Sequence, residues 1–190
     1  MAKILENLYK ALGLGLVLTV LAFLYLHRSV DATYVAFFVR WLHVLSGILW
    51  IGLLWYFNFV QIPTMPKIPA ELKPGVGKYI APEALFWFRW AAVATVVTGL
   101  VLSYLNNYGH QALTFKEGFR TIGIGMWLGL IMAANVWFII WPNQKKALGL
   151  VPVEDAAKPP AARLAMLASR TNFALSIPML YCMVAQQNVG

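Results

Sequence analysis

Cysteine, histidine and acidic residues are all scarce in this sequence. Among 190 residues there are one cysteine, three histidines and seven acids. A lone Cys182 excludes an internal disulfide and any paired-cysteine metal or redox motif, C-x-x-C-H included. No H-x-x-x-H pair, no phosphate-binding glycine loop and no convincing internal repeat occurs. Charge is also sparse: only 12% of residues are charged, whereas 61% are hydrophobic and the mean hydropathy is +0.68. That balance excludes an ordinary soluble domain and marks an integral membrane protein.

Crossing roughly 30 Å of hydrocarbon takes about 20 apolar residues in a helix. Five runs qualify, at about 11–27, 35–60, 85–105, 121–141 and 171–186. They predict an all-α fold, a polytopic bundle of five transmembrane helices forming a single integral membrane domain over residues 1–190. The run LGLGLVLTVLAFLYL is long, and the following HRSVDA offers no small-residue cleavage site, so the first segment reads as a retained helix. The segment IPTMPKIPAELKPGVGKYIAPE, with four prolines before Pro82, reads as an irregular loop, and VPVEDAAKPPAARLAML as a loop with a short interfacial helix after Pro160.

The net charge of +8 is distributed as a topology signal rather than as a nucleic-acid surface. Lys3, Lys10, Lys67, Lys73, Lys78, Lys145, Lys146, Lys158, Arg163 and Arg170 fall on one side of the predicted spans. Arg28, Lys116 and Arg120 fall on the other, and Arg40 and Arg89 lie within spans. Positive residues accumulate on the cytoplasmic side. The N-terminus is therefore expected in the cytoplasm and the C-terminus outside, with lipid headgroups as partners of the basic residues and no nucleic acid.

Two polar concentrations stand out against this apolar background. In RWLHVLSGILWIG, residues three and four apart share a helix face, which groups Arg40, His43, Ser46 and Gly47 near the outer boundary. An imidazole, a small residue one turn below and a guanidinium one turn above suit a b-type haem, with His43 on the iron and Arg40 on the propionates. The alternative is that Arg40 snorkels to the headgroups and His43 bonds a neighbouring helix. In the final helix Met179, Cys182 and Met183 are the candidates for a second ligand, Met183 foremost; sulfur side chains there also serve as packing. His27 and His110 read as interfacial residues. At the inner ends, Asn58, Gln61, Glu83, Arg89, Asn143, Gln144, Arg170 and Asn172 form a polar cluster that reads first as a structural clamp, with Arg170 bonded to helix-end carbonyls or Glu83, and second as a quinone or small-molecule site. Gly123, Gly125 and Gly129 read as a smooth face for helix packing.

The segments RWLHVLSGILWIG, APEALFWFRW, IMAANVWFIIWPNQKKALG and SRTNFALSIPMLYCM resemble the membrane region of the bacterial urate hydroxylase family, the N-terminal domain of membrane-type urate oxidase. NVWFIIWPNQKK, Asn135 to Lys146, is the most specific element, followed by SRTN and SIPML. Longer relatives carry a C-terminal c-type cytochrome domain, which implies a bacterial inner membrane, an exported C-terminus and electron transfer. His43 carries over by motif. This chain reads as a short form without the cytochrome domain, and ALFWFRWAAV and MVAQQN lack the family's histidines and acid in those regions. No residue receives a catalytic role. Three functions follow: a haem b redox subunit working with other membrane subunits or a cytochrome c, a cofactor-free accessory subunit of a larger complex, and a stand-alone oxidase of urate or a related purine.

Overall fold

The computed structural model describes residues 2–27 and 30–189; Arg28, one of the cations assigned to the outer side, lies outside them. The described residues are helical, with no strand among them. The chain divides into two compact units, Met1–Phe37 and Phe38–Gly190.

The first unit holds a short turn, Ala2–Leu5, and helix α1, Leu8–Leu26. Asn7 caps α1 by accepting a hydrogen bond from the Lys10 N–H. No residue of α1 is buried within the protein, as befits a helix whose surroundings are lipid. His27 follows it and gathers with Phe23, Tyr34 and Phe37 in an aromatic cluster.

Four long helices build the second unit. Helix α2 spans Ala32–Lys67, beginning in the first unit; α3 spans Lys73–Leu105; the short α4 is Gly109–Leu113; α5 spans Arg120–Ala147; and α6 spans Lys158–Asn188. α1, α2, α3 and α5 are each long and apolar enough to cross a membrane. α6, at 31 residues, has the length but not the hydropathy, because Lys158, Arg163, Arg170, Asn172, Gln186, Gln187 and Asn188 interrupt it; the stripe it buries over its first two thirds is small, Ala161, Ala165, Ala168, Ser169, Asn172 and Ser176. Side chains that small let neighbouring helices approach closely.

Most helices run beyond their predicted ends, α1 and α3 at the N-terminal end alone, and the proline-rich segment over 62–83 is helical apart from residues 68–72, its first part belonging to α2 and its last to α3. The backbone explains how. A proline in a helix lacks an N–H and clashes with the carbonyl four residues back. Three of the prolines are each preceded by one wide π turn: Phe57–Gln61 before Pro63, Val76–Ile80 before Pro82, and Val136–Ile140 before Pro142. The residue before each proline donates its N–H five residues back, Ile62 to Phe57, Ala81 to Val76 and Trp141 to Val136. The widened turn moves the obstructing carbonyls aside, so the helix continues through a proline that would otherwise end it. Pro159 and Pro160 sit in the first turn of α6, where a missing N–H costs nothing, so the expected short interfacial helix is continuous with the helix predicted over 171–186. True stops use left-handed residues: α3 ends with Asn107 at φ 58° and α5 with Gly149 at φ 69°. At each, the next N–H reaches five residues back, Tyr108 to Ser103 and Leu150 to Lys145.

The core is layered around Trp50, Leu54, Phe57, Phe88, Met132 and Val136, where α2, α3 and α5 meet α6. α6 runs antiparallel along α5: Gln186 accepts from the Ile122 N–H at 3.1 Å, Asn172 accepts from Asn135 at 2.7 Å, and Gly125 faces Cys182 between them.

Candidate functional site

Toward the end of the second unit that carries Arg40, the helices part around a cavity of about 590 Å³, within the usual range of ligand pockets. Arg40, His43, Gly47 and Met183 all line it, together with Thr95 and Gly99 of α3, Gly129 of α5 and Met179 of α6. Its wall is otherwise aliphatic and aromatic, with Trp50 and Trp55 contributing. Val44 and Ile48 of α2 and Leu180 and Val184 of α6 line it while also being exposed, Ile48 at 66% and Val184 at 63%, so the mouth opens sideways between α2 and α6.

His43 is held in one tautomer. Its Nδ1 lies 2.9 Å from the Thr95 carbonyl, which only accepts, so Nδ1 carries the proton; the Thr98 hydroxyl is a second, longer partner at 3.3 Å. Nε2 is thereby left with its lone pair and makes no hydrogen bond among the described residues. The ring rests on Gly99: a Cβ there would come within 2.8 Å of the imidazole Cε1. Glycine is required because the ring occupies the space of its side chain.

Other glycines shape the wall. A Cβ on Gly129 meets nothing within 4 Å, and one on Gly47 meets only a Thr95 methyl at 3.9 Å. The three glycines read together as a packing face therefore divide. Gly123 abuts the Ala112 carbonyl and a Cβ on Gly125 would come to 3.1 Å from the Cys182 Cβ, whereas Gly129 opens into the cavity. Cys182 is buried against α5 and does not line the cavity, which removes it as a ligand candidate and leaves Met179 and Met183. Arg40 is exposed at the rim. Tyr108, beyond the end of α3, stacks on Phe119; burial pushes its hydroxyl up, with Arg40 pulling the other way.

The polar residues predicted to converge at the other end do not form one cluster. Asn58 and Asn172 are buried and bonded, but to other partners: Asn58 donates to Ser169 at 3.0 Å and to the Leu54 carbonyl, and Asn172 donates to the Met132 carbonyl while accepting from Asn135. Asn143 bonds the carbonyl of Ile139 on its own helix. Gln144 meets Gln61 at a smaller pocket of about 180 Å³. Arg89 lies with its guanidinium 3.4 Å from the Trp141 ring centroid. Arg170 and Glu83 are exposed and make no hydrogen bond or ion pair among the described residues, so the clamp expected through Arg170 is absent. Helix phase is the reason. Ser169, Asn172 and Ser176 occupy the inward stripe of α6, and Arg170, about 100° around the helix from Ser169, points away.

What joins the helices is a ladder on that stripe: Asn58 to Ser169, Asn135 to Asn172 and to the Ala168 carbonyl, and the Trp55 indole N–H to Ser176 at 3.0 Å. The sequence signal was the spacing of Ser169, Asn172 and Ser176, three and four residues apart. Asn135 lay inside a motif and Trp55 inside an apolar run, so neither announced a partner. His27 and His110 join no metal-ligating group; among the described residues no cluster of three His, Cys, Asp or Glu occurs.

Residues 108–188, which include α4, α5 and all of α6, match the family described as urate oxidase N-terminal. The match contains NVWFIIWPNQKK, SRTN and SIPML, while RWLHVLSGILWIG and APEALFWFRW lie outside it. No curated protein and no solved structure matches the chain.

Proposed function

We propose that this chain, whose residues 108–188 match the urate oxidase N-terminal family, is a five-span redox subunit that binds haem b at His43 and exchanges electrons with a partner protein. The observation that carries the reading is the fixed tautomer of His43 on the wall of a cavity of ligand size, with Nδ1–H on Thr95 and Nε2 unpartnered. A haem held there would supply one-electron chemistry at its iron. The residues present fit such a group. Gly47 and Gly129 leave open walls for a flat macrocycle, Arg40 supplies a cation for propionate carboxylates at the rim, and Met183 or Met179 offers a thioether.

The fifth span is α6. Its antiparallel pairing along α5, from Ile122–Gln186 to Asn135–Asn172, supports the same depth of crossing for both helices, and 31 residues reach about 46 Å. The ten-to-three distribution of cations supports a cytoplasmic N-terminus in a bacterial inner membrane and an exported C-terminus. A second reading, a cofactor-free accessory subunit, is favoured by one observation: His43 and Arg40 lie outside the residues that match the family.

The visible spectrum and pyridine haemochrome of protein purified in detergent from haem-replete membranes test the proposal. A Soret band lost in His43→Ala is the expected result. A fully helical wild-type protein that neither carries iron-porphyrin nor takes up added haemin refutes it in favour of the accessory role.

A further inference from the structure

Arg89 sits on a membrane helix without a counter-ion. Its guanidinium carbon lies over the Trp141 ring, 3.4 Å from the centroid, while Lys145, one turn further along α5, places its Nζ 5.5 Å from the same centroid. The Nε and Nη1 atoms of Arg89 are buried and find no acceptor, and among the described residues Lys145 forms no ion pair. Two cations held against one indole repel each other, and stacking on an aromatic face offsets only part of that cost. No carboxylate answers them: among the described residues the one ion pair is Lys158–Asp155. The missing anion must come from outside these residues.

Depth identifies its source. Arg89 follows Phe88, which packs edge-on against Phe57 of α2. Phe57 lies 17 residues along the same helix from Arg40, about 25 Å at helical rise, close to the thickness of the hydrocarbon core. Arg40 at one boundary therefore puts Arg89, Trp141 and Lys145 near the other, at the level of lipid phosphates. An indole at that level is a typical interfacial anchor.

We infer that Arg89, Trp141 and Lys145 form a binding site for the phosphodiester headgroup of an anionic phospholipid. The guanidinium, held against Trp141, presents Nη2, the one nitrogen of the group that is not among the buried atoms, to the phosphate, and Lys145 adds a second charge. A zwitterionic headgroup brings its own cation next to Lys145 and is disfavoured. This site is independent of the haem reading, because no residue of it lines the large cavity.

Native mass spectrometry of the detergent-solubilised protein, titrated with phosphatidylglycerol, tests the inference. The wild type should retain one phosphatidylglycerol more tightly than any phosphatidylcholine, and the Arg89→Gln, Lys145→Gln double variant should bind it roughly tenfold or more weakly. Arg89→Lys, which keeps the charge but not the flat fork, should fall between them. Lys145→Gln alone should weaken binding severalfold, and it provides the readout if changes at Arg89 reduce folded yield. Equal retention by the wild type and Lys145→Gln, or equal retention of the two lipids, overturns the assignment. Displacement of the lipid by inorganic phosphate at the same concentration assigns the site to free phosphate instead and overturns the lipid.

Discussion

Three alanine substitutions along α5 should rank in the order set by what each new methyl meets. At Gly123 the Cβ lands on the Ala112 carbonyl, a backbone atom of α4 that cannot rotate away. At Gly125 it comes to 3.1 Å from the Cys182 Cβ, a contact that a shift of α6 by a few tenths of an ångström relieves. At Gly129 it meets nothing within 4 Å and projects into the cavity. All three replacements gain about 0.5–1 kcal/mol from the lower backbone entropy of alanine in a helix interior. Overpacking a fixed neighbour costs about 1–3 kcal/mol and dominates at Gly123. Gly123→Ala should therefore lose about 1–2 kcal/mol, Gly125→Ala should stay near neutral, and Gly129→Ala should gain up to about 1 kcal/mol. At roughly 2–4 °C per kcal/mol for a chain of this size, thermal melts in detergent followed by circular dichroism resolve the first from the last. Equal destabilisation by Gly123→Ala and Gly129→Ala would show that the glycines act as one packing surface and would refute their division into contact and cavity positions.

Asn172→Leu removes the centre of the polar ladder and leaves the Asn135 amide with the Ala168 carbonyl alone, so it should cost about 1–2 kcal/mol in the same melt, while exposed Arg170→Gln should be silent; a larger loss at Arg170 would restore the clamp originally expected there. If haem is bound, Arg40→Ala should preserve the Soret band but speed loss of the cofactor to apomyoglobin, whereas identical retention would exclude a propionate role. Cysteines placed at positions 5 and 188 in a Cys182→Ser background should label from opposite sides of the membrane, and labelling of both from one side contradicts five crossings. The Asp155 carboxyl is held below its ordinary range by its hydrogen bond and ion pair with Lys158. Whatever it contributes to the start of α6 is present above the ordinary carboxylate range and lost as pH falls through the lowered value, and its NMR titration should move up in Lys158→Ala.

The membrane character, the helical class and the positions of the long helices follow from composition and run length alone, because a chain with so few charges and such long apolar stretches has no other way to satisfy its backbone. The side-by-side placement of Arg40, His43 and Gly47 was also readable, since helical periodicity is a local property. What periodicity does not carry is the neighbour. Thr95 and Gly99, which fix the His43 ring, sit about 50 residues away in an apolar run with nothing to mark them. Proline content misled at 62–84, because a breaker is judged locally whereas the π turns that absorb it are stabilised by packing of the whole helix. The clamp at Arg170 failed for a related reason: charge draws attention, but helix phase against α5 buried the short polar residues beside it. Sequence determined which side chains share a helix and a face; only the tertiary structure decided which faces meet, because that choice depends on fitting small residues such as Gly99, Gly125 and Ser169 against partners far along the chain, where close packing in the bilayer selects the pairs.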